Sequence, residues 1–167
     1  MTMNTRMTHR ARLGAVLAVA ALAVAATLAG ATRAETAALA DGPYVVIVNA
    51  GNGYGEPGDA AKKVVKQLFL KERTDWPGGA EAKPFDRPAD SPEHTAFRDK
   101  VLEMTAAELA QHWIDQKQKT GATPPREVSS ASMMIKFVAK SEGAFGVVAK
   151  SEAEGADGVK VLFEIGG

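Results

Sequence analysis

The 167-residue sequence has no cysteine and no net charge, with 20 Lys and Arg balanced by 20 Asp and Glu. Without cysteine there is no disulfide, no thiolate metal site, no cysteine nucleophile and no lipid-bearing cysteine. Zero charge argues against a strongly electrostatic nucleic-acid binder. At this length two full α/β lobes, which need roughly 200 or more residues, do not fit. Beyond residue 34 there is no second long apolar run, so the remainder reads as a soluble domain.

The zero is an average over two unlike parts. Residues 1–34 carry Arg6, Arg10, Arg12 and Arg33 and no acid, and from Leu13 to Ala31 only Thr27 is polar. A basic start followed by an apolar run is the layout of a secretory signal peptide. Cleavage after Ala31, Ala34 or Ala40 fits small-residue rules, and Ala34 is favoured because a polar segment starts at Glu35. The competing reading is an uncleaved anchor, since the run is near the roughly 20 residues a bilayer span needs. Removal of residues 1–34 lowers the basic count to 16 against 20 acids, a net charge of −4. An exported, cysteine-free, mildly acidic chain fits the bacterial periplasm or envelope.

Residues 35–43 read as a flexible lead-in and 44–167 as a single domain. The β-branched run Tyr44–Val48 predicts a strand buried on both faces. Asp59 predicts an N-cap for a helix over 60–70, and a short strand is expected near Ala82–Phe85. Ser91 at the N-cap with Pro92 at the first helical position predicts a helix carrying Phe97, Val101 and Leu102. Thr105 and Glu108 form a capping-box pattern for a helix to about Lys119, with Leu109, Trp113 and Ile114 as its apolar stripe. Ser129 or Ser130 is expected to cap a helix holding Met133 and Met134 in the core. Strands at Ala144–Val148 and Val159–Ile165 complete a single mixed α/β domain, a sheet flanked by helices.

The order of these pieces resembles a known family. Tyr44–Asn49 is followed by Leu68-Phe69-Leu70-Lys71 and Trp76-Pro77-Gly78-Gly79. Arg87-Pro88-Ala89-Asp90-Ser91 and Phe97 come next, then Ala144-Phe145-Gly146-Val147. Across residues 44–165 the chain is similar to phosphate ABC transporter substrate-binding proteins, in a short single-lobe form. Leu68-Phe69-Leu70-Lys71 stands for the family pattern "IFLGK" with its glycine missing. The resemblance implies a periplasmic-binding-protein type II lobe and a non-enzymatic role in oxyanion capture or transport. It departs from the family where Pro92 removes an amide donor, Glu93 puts negative charge near the expected anion, and the Ser-Gly-Thr cradle is absent.

The candidate ligand site is therefore the turn holding Arg87, Asp90, Ser91 and Thr95, where helix-start amides and a guanidinium would meet a phosphate-like oxyanion. The plainer alternative has Ser91 only capping the helix and Arg87 pairing with Asp90. Gly51-Asn52-Gly53-Tyr54-Gly55 lacks dinucleotide spacing. His94 and His112 have no metal-ligand spacing, and Ser129, Ser130 and Ser132 near Arg126 form a second possible anion corner. Neither a cofactor nor a metal is expected, nor a catalytic group. The partners expected are a small oxyanion or an envelope or transporter protein, with no nucleic acid and no stable membrane insertion after cleavage. If ligand binding has been lost, the chain is instead an envelope accessory protein, with Tyr54 and Trp76 as surface contacts.

Overall fold

A computed structural model describes residues 43–56 and 58–166. The expected signal peptide at 1–34 and all of the expected lead-in except Pro43 lie outside the described residues. The elements are strand β1 (Tyr44–Asn49), helix α1 (Asp59–Phe69), β2 (Lys83–Asp86) and α2 (Pro92–Phe97). A π-helical turn, Arg98–Leu102, continues α2. Then come α3 (Ala106–Thr120), β3 (Arg126–Glu127), α4 (Ala131–Lys140), β4 (Ala144–Ala149), α5 (Lys150–Ala153) and β5 (Val159–Ile165).

The five strands form one mixed sheet in the order β3-β2-β4-β1-β5. β2 runs parallel to β3 and β4, whereas β1 is antiparallel to both β4 and β5. The register of β1 against β5 shifts between Val46 and Ile47, where Leu162 is the extra residue. The continuous apolar run of β1 is explained by its central place. Val46 and Val48 pack on one face with α1, α2 and the π turn, and Val45 and Ile47 pack on the other with α4. β4 divides in the same way, with Phe145 and Val147 on the first face and Ala144 and Val148 on the second. The expected mixed α/β sheet with flanking helices is therefore the observed fold.

Local chemistry fixes the helix ends. Ser91 occupies the N-cap of α2, its Oγ accepting the His94 N–H at 3.2 Å, with Pro92 next. Thr105 and Glu108 form the expected capping box. At α1 the expectation is corrected: Gly58, at φ 69°, holds the N-cap position, and Asp59 is the first helical residue. The incoming loop needs a left-handed backbone there, which glycine supplies without strain, and Asp59 still faces the positive end of the helix. α1 ends at Leu70, and Lys71 then takes φ 57°. This is the left-handed position that favours glycine, and it is where the family pattern carries one.

Three further expectations are corrected. Ser130 stands at the N-cap of α4, but its hydroxyl meets Ser132 Oγ at 2.9 Å instead of a backbone amide. Met134 is fully buried, whereas Met133 is 40% exposed because it lies on the outer face of α4. Ile114 is 51% exposed, leaving Leu109 and the half-buried Trp113 as the contacts of α3 with the core. The two-residue strand β3 and the single-turn α5 are too short to leave a periodic signal.

Candidate functional site

β2 reaches from an apolar end to a charged one. At its start Trp76 is buried, and its indole N–H donates to the Gly143 carbonyl at 2.9 Å. Its ring meets Phe145 edge-on at 5.4 Å and Tyr54 at the same distance. A methyl group on Gly143 would collide with the Glu81 carbonyl, so only glycine allows this approach. Tyr54 and Trp76 are 7% and 1% exposed, which overturns their assignment as surface contacts. Both face inward because each ring completes the apolar layer over β4.

At the other end of β2 the chain turns into α2 through the predicted site. Arg87 is 8% exposed and does not pair with Asp90. Its Nη2 donates to Glu93 Oε1 at 2.9 Å and its Nη1 to the Val128 carbonyl at 3.1 Å, while the buried Nε has no hydrogen-bond partner among the described residues. Thr95 Oγ1 donates back to the Ser91 carbonyl at 3.2 Å. Asp90 is exposed at the bend. Arg87, Ser91 and Thr95 thus share one turn, with the guanidinium engaged by a carboxylate from within the protein.

With Glu93, two more residues outside the predicted set, Asp86 and His94, complete a largely buried polar cluster. Asp86 Oδ1 accepts the Arg87 N–H at 2.8 Å and lies 3.0 Å from His94 Nδ1. The hydrogen bond to Asp86 outweighs burial and holds the His94 pKa above its ordinary value. The sequence signal for this cluster is modest: Asp86 precedes Arg87, and Glu93 and His94 fall in the first turn of the following helix. Glu93, expected to oppose an anion, instead occupies the cation that would hold one.

The remaining candidates are used structurally. His112 Nε2 lies 3.0 Å from the Leu70 carbonyl. Arg126 sits over the Phe137 ring, 5.0 Å from its centroid, in a cation–π contact. The Gly51–Gly55 loop is anchored, since Asn52 Oδ1 accepts the Tyr54 N–H at 2.9 Å and Lys160 Nζ donates to the Asn52 carbonyl at 2.6 Å. A groove of about 560 Å³ runs beside α1, lined by Lys62, Lys63, Lys66 and Glu103 among others. There Glu103 bridges Lys62 at 3.1 Å and Lys66 at 3.5 Å. Among the described residues no helix is long and apolar enough to cross a membrane.

No protein-family model matches the chain, and no curated protein matches it. Solved structures do. An ABC-type phosphate transport receptor from Vibrio cholerae is 19% identical with a TM-score of 0.54, over 74% of this chain and 46% of that one. PstS from Borrelia burgdorferi is 12% identical with a TM-score of 0.54, over 73% of this chain and 47% of that one. The chain spans less than half the length of either. At these identities the likeness is one of fold alone: a mixed sheet with flanking helices, the single lobe expected from the sequence.

Proposed function

We propose that the protein is an exported, non-enzymatic binding module built on one such lobe, and that it works through an envelope or transporter protein without capturing a free oxyanion. The observation that carries this reading is the buried Arg87–Glu93 pair at 2.9 Å. Two of the five N–H groups of this guanidinium are committed, one to a carboxylate and one to a carbonyl. A phosphate entering here would have to displace Glu93, leaving a buried carboxylate unpaired, which costs several kcal/mol. Pro92 contributes no N–H, and the Thr95 hydroxyl is already directed to the Ser91 carbonyl. In the four-residue site Arg87, Asp90, Ser91 and Thr95, the guanidinium is therefore paired with a carboxylate from within the protein, and the Thr95 hydroxyl is already directed to the backbone.

The unpartnered Arg87 Nε favours a second reading, in which the turn opens and takes a phosphate-like ion in exchange for Glu93. Titration calorimetry of the folded protein with phosphate and with sulfate separates the two. The first reading predicts no heat of binding up to millimolar ligand; saturable heat below that concentration, abolished by Arg87→Ala, overturns it in favour of the second.

A further inference from the structure

We propose that His94 is a pH-responsive latch: protonated, it fixes α2 against the end of β2, and deprotonated, it loosens α2 and the Arg87 turn that α2 carries. His94 is 7% exposed, and its ring lies 3.0 Å from Asp86 Oδ1, the same oxygen that accepts the Arg87 N–H. The backbone N–H of His94 is the one held by the Ser91 cap. A single titratable residue thus joins the strand end, the turn and the first turn of the helix. The preceding residue, Glu93, ties Arg87, and Arg87 in turn reaches the Val128 carbonyl beyond β3. Loosening α2 therefore reaches the segment between β3 and α4 as well.

The charges around the ring are Asp86 on β2, Arg98 on the π turn and Glu127 on β3, with Arg87 and Glu93 beside it. Asp86 and Glu127 favour the imidazolium; Arg98 and burial oppose it, and the Asp86 hydrogen bond prevails. A histidine whose folded pKa is raised stabilises the fold fully below its unfolded pKa of about 6.5. That contribution is lost as pH rises through the folded value. Neutral His94 keeps a hydrogen bond to Asp86 as the Nδ1–H tautomer but loses its charge, so the latch weakens without breaking.

The latch needs no ligand, so its test is independent of phosphate binding. Hydrogen–deuterium exchange is measured from pH 5 to 8.5, corrected for intrinsic rates, on the wild type, His94→Gln and Asp86→Asn. The expected result is a loss of protection of about threefold or more in α2 of the wild type as pH rises, with α4 unchanged and both variants flat. The ring resonance of His94 in the wild type reads the same latch without a substitution, and its midpoint is expected above about 6.5. A wild-type midpoint at or below that value, or an equal pH response in His94→Gln, overturns the latch.

Discussion

The two ends of β2 stabilise the same strand by opposite means. At the Trp76 end, shape decides: an indole fills the space over β4, its single N–H satisfied by Gly143. At the Arg87 end, charge decides: the buried Arg87, Glu93 and His94 and the partly buried Asp86 are satisfied largely by one another. The apolar end tolerates almost no change of volume but is indifferent to pH and salt. The charged end tolerates changes of volume better, but each removal of one partner strands the other. At this end the cation is used internally, to hold the fold together.

The comparison can be broken at several points. Trp76→Ala is expected to cost about 4 kcal/mol in denaturant unfolding, the cavity adding to the lost transfer energy, with no dependence on salt. Glu93→Ala is expected to cost about 3 kcal/mol, because Arg87 is left buried and uncompensated. Gly143→Ala should cost about 2–3 kcal/mol by forcing the Glu81 carbonyl away, and it should shift the Trp76 fluorescence spectrum, whereas Glu93→Ala should not. Lys71→Gly is expected to stabilise by about 0.5–1 kcal/mol, since Lys71 sits at φ 57° in the left-handed region. That smallest effect belongs to neither end and calibrates the other three.

Much of the fold was legible in the sequence where the physics is local. Ser91-Pro92, Thr105 with Glu108 and the unbroken run Tyr44–Val48 each announce their element through capping or burial on two faces. Arg87, Ser91 and Thr95 were legible as members of one turn for the same reason. What was not legible depends on contacts between segments far apart in sequence. Trp76 finds Gly143, 67 residues on, and Arg87 reaches Val128, 41 residues on. Pairing within the turn was equally hidden: Asp90 is nearer to Arg87 in sequence than Glu93, yet one helical turn brings Glu93 to the guanidinium and leaves Asp90 in water. Neither the burial of Tyr54 nor the exposure of Met133 could be read from residue type, because loop path and helix phase set them.

The central claim, that Arg87 is committed to Glu93, is tested most directly by a double-mutant cycle. Stability is measured for the wild type, Arg87→Met, Glu93→Leu and the double variant. The predicted result is a coupling of about 2 kcal/mol or more, with the double variant more stable than either single one. Additive losses, with coupling near zero, would contradict it and return Arg87 to the role of an available anion ligand.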